Sequence, residues 1–187
     1  MKNQENFINI TQDLHKAIYT CNKMGFITTY NKAAVNLWGR EPEVNKDLWC
    51  GSWKIYNKDG SDLPHSFSPM AIAIKECRPV YGEEMIIQQP DGTLRHVLPF
   101  PVPSFDKNGK ITGAVNMLLD ITDKKEKEIL KQQSEEKYRT FIEQATDAIL
   151  IYSFDGTIHE FNDSCCKLSG YSREEYARAN FWDDRYA

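Results

Sequence analysis

Long apolar runs are missing from this chain: no window approaches the roughly 18–20 apolar residues that a membrane-crossing helix needs. The first fifteen residues are polar and lack the apolar centre of a secretory signal. Cysteine is scarce and scattered, at Cys21, Cys50, Cys77, Cys165 and Cys166, with no pair at C-x-x-C spacing. An odd, dispersed set argues against a disulfide framework or a zinc site and fits reduced thiols in the cytoplasm. Basic clusters are also lacking outside the short 124–127 stretch, and the net charge is −4. A duplex-binding protein concentrates basic charge on one surface, so nucleic acid is not an expected partner.

What the sequence does contain is enough to build a core. Hydrophobic residues make up 41% and charged residues 27% of its 187 positions, which is globular composition. The length fits one ordinary domain, or one domain plus part of another.

An internal repeat decides between these. Gly25 and Gly156 lie 131 residues apart, and the same offset pairs Ile27 with Ile158, Tyr30 with Phe161 and Asn31 with Asn162. It continues without a gap through Leu37 and Leu168, Gly39 and Gly170, and Glu43 and Glu174. Seven matches in register, each joining residues of one physical kind, mark two copies of one unit. Each copy has an apolar run (17–21; 148–152), a glycine-containing turn, and a second β-like run (26–30; 157–161). That order predicts a hairpin. Asn31 or Asn162 then supplies a helix N-cap, and Gly39 or Gly170 ends the short helix that follows. Ala34, Leu37 and Trp38, or Cys165 and Leu168, share one face of that helix.

The first copy goes on. Phe67, Met70, Ala71 and Ile74 recur at helical spacing within 66–77, with Ser66 or Ser68 before Pro69 as the cap and first turn. Strands are expected at 81–89, 94–102 and 110–119, joined by turns at Pro90-Asp91-Gly92 and Asp106-Lys107-Asn108-Gly109. The result is an α+β domain on one antiparallel sheet.

This ordered set resembles the PAS family: the glycine-containing first turn, Tyr30-Asn31 at the strand-to-helix junction, and Asp120-Ile121-Thr122 at the end. Phe161-Asn162 and 168–172 look like the start of a second PAS copy. The resemblance implies a five-stranded antiparallel sheet with helices on one face, enclosing a small pocket. It implies the following division: an amphipathic N-terminal helix at 1–15, a complete PAS domain at 16–123, a helical linker at 124–145, and the N-terminal half of a second PAS domain at 146–187. The second copy ends before any equivalent of the last three strands, so missing strands and an output domain are expected in a longer parent.

By the same resemblance the chain is an input module of a bacterial signal-transduction protein, a sensor histidine kinase above all, passing a ligand, redox or partner signal through the linker. The alternative is a purely structural PAS dimerisation scaffold without ligand. Catalysis is not expected of this chain: His15, His65, His96 and His159 do not sit in a phosphoacceptor helix, and no glycine-rich phosphate loop appears. Expected partners are a second copy of the chain, through the linker helix or PAS surfaces, a small-molecule ligand, and a downstream output domain.

Pocket candidates are Trp38, Trp53, Met70, Ile74, Val97, Asn116 and Leu118. For the tryptophans and Met70, lining a pocket and simple core filling both fit. Alternation sends Ala114, Asn116 and Leu118 to one face and Val115, Met117 and Leu119 to the other, and the PAS resemblance, aligned on Asp120, implies that the first set faces the pocket. Asn116 is then a polar group in an apolar strand, needing either a structural hydrogen bond or a ligand. Asp120, Ile121 and Thr122 are the signal-transmission candidates. The cofactor is left open. His65 lies just before the helix in which some haem-binding PAS domains carry their ligand, and Cys50 lacks the Asn-Cys-Arg setting of a flavin-adduct cysteine.

Two segments carry further expectations. Good helix formers without Gly or Pro fill the linker, but its apolar stripe (Ile129, Leu130, Tyr138, Phe141, Ile142) is sparse. It suits a solvated spacer or a parallel dimer helix. Pro99, Pro101 and Pro103 alternate, so their missing N–H groups lie along one side of their strand. The ladder on that side is expected to end near Leu98, toward 81–83, as a local bend or as an opening at the pocket mouth.

Overall fold

The fold is that of a computed structural model describing residues 14–182, so the helix expected at 1–15 falls almost wholly outside the described residues. Two compact units divide the chain, Met1–Lys125 and Glu126–Ala187.

The first unit starts as the repeat predicts. Strands β1 (Ala17–Asn22) and β2 (Ile27–Tyr30) form the hairpin, and Gly25 turns it at φ 88°, where a side chain would be strained. Asn31 caps helix α1 (Lys32–Trp38) by accepting from the Ala34 amide, and left-handed Gly39 closes it. Ala34, Leu37 and Trp38 are its buried face. A short strand β3 (Lys54–Asn57) and a 3-10 turn (His65–Phe67) lead to α2 (Pro69–Glu76). Of the two candidate caps, Ser68 is the one used, with Pro69 at the first helical position where no N–H is needed.

Strands β4 (Met85–Gln88), β5 (Leu94–Phe105) and β6 (Ile111–Asp120) complete an antiparallel sheet of order β2-β1-β6-β5-β4-β3. It has six strands where the sequence led us to expect five. The extra one, Lys54–Asn57, pairs in full with Met85–Gln88. Among its residues only Ile55 is buried, so it carries no alternation to read. The strand expected from residue 81 begins only at Met85. Helices α1 and α2 contribute to one buried cluster with the inner face of the sheet, around Tyr19, Ile27, Trp38, Met70, Ile87, Val97 and Leu118. Phe67 does not join it and is exposed, because the chain at that point is a 3-10 turn rather than helix. The alternation in β6 is as expected: Ala114, Asn116 and Leu118 are buried, and Val115, Met117 and Leu119 half-buried.

Helix α3 (Thr122–Gln144) starts directly after β6 and runs into the second unit. There β7 (Leu150–Tyr152) and β8 (Ile158–Phe161) form the second hairpin. Asn162 caps α4 (Asp163–Ser169), Gly170 ends it, and a Ser172/Glu175 capping box opens α5 (Arg173–Tyr176). Leu168 departs from its expected role. It is 81% exposed, whereas Leu37 at the equivalent position is 7% exposed. Leu37 packs against a six-stranded sheet; the described residues around Leu168 supply two strands.

Candidate functional site

Two places in the first unit join polar chemistry to the core. One lies on the inner face of the sheet. Tyr19, brought inward by the β1 alternation, is 1% exposed and donates from its hydroxyl to the Trp49 carbonyl at 2.8 Å. The Asn116 amide donates to that hydroxyl at 3.1 Å, while its oxygen accepts from the Phe100 N–H at 2.9 Å. The edge of Tyr19 meets Trp38, with ring centroids 5.1 Å apart. Trp38 is fully buried, and its indole N–H has no hydrogen-bond partner among the described residues. The Cys50 thiol, a weak acceptor, interacts with it.

Burial pushes the Tyr19 hydroxyl and the Cys21 and Cys50 thiols upward in pKa, so all three are un-ionised at neutral pH. The interior is therefore neutral. Its tyrosine–asparagine pair is hydrogen-bonded, which leaves the Trp38 N–H as its weakly satisfied donor.

Of the pocket candidates, Trp38, Met70, Ile74, Val97 and Leu118 fall in one buried cluster, and Asn116 is buried beside Tyr19. Trp53 does not. It is 58% exposed and lies outside β3, whose ladder starts at Lys54. It lines instead an open cleft of about 450 Å3 with Arg40, Asp47 and His65. A second open groove, of about 630 Å3, is lined by Lys16, Lys32, Arg95, Leu118 and Asp120 among others. Sequence reasoning missed Tyr19, and it weighed Cys50 only as a flavin-adduct cysteine, not as a neighbour of Trp38. The alternating pattern of β1 could have found the first; nothing local marks the second.

The proline strand closes rather than opens. The β4–β5 ladder ends at Met85 and Val97, as the missing N–H groups require. Beyond it the Val80 and Gly82 amides donate to the Pro101 and Pro99 carbonyls at 3.2 and 3.3 Å. The preceding segment thus stays laid against β5, and no mouth forms there.

The second place is the exit from the sheet. The Asp120 carboxylate accepts from both the amide and the hydroxyl of Thr122, at 2.9 and 2.6 Å. The Thr122 hydroxyl oxygen in turn accepts from the His96 N–H at 3.0 Å, and the Ile121 N–H donates to the His96 carbonyl at 2.8 Å. Glu84, its side chain only 11% exposed, sits 2.9 Å from Lys125 in the first turns of α3 and 3.2 Å from His96. Lys58 stands 3.9 Å away. The first turn of α3 is thereby tied to β5 and to the segment beside the proline strand. Asp120, Ile121 and Thr122 are all in this junction. Glu84 and Lys125 have no sequence signal, since folding alone brings them together.

Burial by itself would raise the Glu84 carboxyl, but hydrogen bonds from Lys125 and His96 outweigh it and hold it below the ordinary glutamate value. A depressed carboxylate stabilises the fold above its unfolded pKa, near 4.3, and that gain is lost as pH falls through the lower folded value. Replacing Glu84 with Gln is therefore expected to cost about 1–3 kcal/mol at pH 7. In thermal melts across pH, the difference from wild type should shrink below about pH 4. A difference independent of pH would show that the charge contributes nothing.

A PAS domain family model matches residues 15–123, more than half of the chain, and a second PAS domain model matches residues 136–186. The chain belongs to the PAS family. Over 54 residues it is 43% identical to sporulation kinase E of Bacillus subtilis (strain 168), a match covering 29% of this chain and 7% of that kinase. The PAS domain of BvgS from Bordetella pertussis is 18% identical, over 73% of this chain and 98% of that one, with a TM-score of 0.44. A sensory box histidine kinase/response regulator from Burkholderia thailandensis is 16% identical, over 73% and 99%, with a TM-score of 0.47. The PAS chain is a sensory signalling module, and among its described residues no helix is long and apolar enough to cross a membrane.

Proposed function

We propose that this chain is the cytoplasmic, non-catalytic input module of a bacterial sensor histidine kinase. In this reading the interior of the first PAS domain senses a small neutral or weakly polar guest, and helix α3 carries the response onward. The observation that carries the reading is the junction at Asp120–Thr122. There the helix start is hydrogen-bonded to β5 and ion-paired to Glu84, so a shift of the sheet or of the segment beside it displaces the helix. The unpartnered Trp38 N–H supports a guest inside. Identity to a sporulation kinase over 54 residues supports the kinase setting.

Self-association belongs to the same reading. Ile129, Leu130, Tyr138 and Phe141 are all exposed along a helix that is otherwise mostly charged and polar. Sedimentation velocity of the chain is expected to show a dimer that becomes a monomer on Leu130→Glu plus Phe141→Glu. A wild-type monomer at high concentration would overturn the dimer.

A scaffold without ligand is the second reading, favoured by how completely Trp38, Met70 and Leu118 fill the core. Native mass spectrometry of the purified chain separates the two. A co-purified small molecule, lost on Asn116→Leu, supports sensing; a consistently empty chain supports the scaffold. Incubation with labelled ATP is expected to leave the chain unlabelled.

A further inference from the structure

The C-terminal end of α3 poses an accounting problem. The last carbonyls of any α-helix lack partners within it, and a left-handed glycine just past the end commonly resolves this. Here the chain continues Ala145-Thr146-Asp147, with no glycine. Carbonyls at and just past this end are met from a distance in sequence. The side-chain N–H groups of Asn162 reach the Ile142 carbonyl at 3.0 Å, the Ala145 carbonyl at 3.3 Å and the Asp147 carbonyl at 2.9 Å. Ser164 adds a hydroxyl bond to the Ala145 carbonyl at 3.0 Å.

The other half of the same amide faces the second PAS copy. Its oxygen accepts from the Ile149 N–H ahead of β7, at 3.0 Å, and from the Cys165 N–H in the first turn of α4, at 3.2 Å. Asn162 is fully buried. One side chain thus caps the end of one helix, the start of another and the entry to a strand.

Three of these bonds recur in the first copy. Asn31 donates to the Lys16 carbonyl and accepts from the Ile18 and Ala34 N–H groups. At the 131-residue offset these are Asp147, Ile149 and Cys165. The bonds to Ile142 and Ala145 attach the same amide to the linker helix.

We infer that Asn162 is a positioning residue that clamps the end of α3 and passes its displacement to β7 and α4. This rests on the reading that α3 carries the signal. Helix shifts of about 1–2 Å are typical of such switches. A shift of that size takes a 3.0 Å hydrogen bond beyond working range, so the amide cannot follow the helix and keep its other partners.

Hydrogen exchange on the full chain tests this. Asn162→Asp keeps the oxygen that caps α4 but replaces the donors with an acceptor facing three carbonyls. Exchange at 143–147 is expected to quicken about five- to tenfold while β8 and α4 stay protected. Unchanged exchange at 143–147 would overturn the clamp. Should the variant unfold the whole second unit, Ser164→Ala decides instead: faster exchange at 143–147 supports the clamp, and no change removes it. Lys125→Ala, which cuts a tie at the far end of α3, tests the underlying reading separately. If it also quickens 143–147, and adds nothing in an Asn162→Asp background, the two ends are coupled. If only the Asn162 variant acts, the clamp stands and the transmission reading falls.

Discussion

Replacing Trp38 with alanine is expected to destabilise the first PAS domain by about 3–5 kcal/mol, the usual cost of removing a large aromatic side chain from a core. The indole is fully buried, contacts Tyr19 edge-on at 5.1 Å, and lies 6.4 Å from Tyr30. The wall around it cannot collapse freely: a Cβ on Gly51 would overlap the indole ring, so that backbone already packs as closely as glycine allows. A domain of this size holds roughly 5–15 kcal/mol in total, so the loss is a large fraction of it. Equilibrium denaturation in urea measures the effect. Added indole should restore part of the loss by filling the space, a readout specific to a cavity. A change below about 1 kcal/mol would mean that Trp38 is not the centre of the core.

The second large effect concerns the helix. Lys131 sits mid-way along α3 with its side chain 77% exposed, so replacing it disturbs no core. Proline there removes one backbone hydrogen bond and clashes with the preceding turn, at a cost of about 3 kcal/mol or more to the helix. Helical circular dichroism is expected to fall while the melting temperature of the first domain stays where it was. Under the proposed function, the variant also becomes monomeric by sedimentation. A dimer that survives Lys131→Pro would place self-association on the PAS surfaces instead of the helix.

Much of the first domain could be read from local chemistry. The hairpin, the Asn31 cap and the Gly39 stop depend on residues within a few positions of one another, and the 131-residue offset shows that pattern twice. Alternation in β6 grouped Asn116 with Ala114 and Leu118, because a strand sends neighbouring side chains to opposite faces, and the family resemblance said which set faces in. Trp53 shows where such reasoning fails. A tryptophan near other tryptophans suggests a pocket wall, yet its direction depends on β3, a strand formed only because β4 lies beside it. The extra sheet strand escaped for the same reason.

By itself, then, the sequence determined the family, the repeat, the helix caps and which residues of β6 share a face, because each is set by spacing along the chain. Tertiary structure decided the rest. It closed the proline strand with the Val80 and Gly82 amides, set Glu84 against Lys125 and His96, and turned Asn162 from a helix cap into a bond to the end of α3. Those contacts join residues 12 to 41 positions apart, and no local propensity encodes them; they exist only once burial has chosen which surfaces meet.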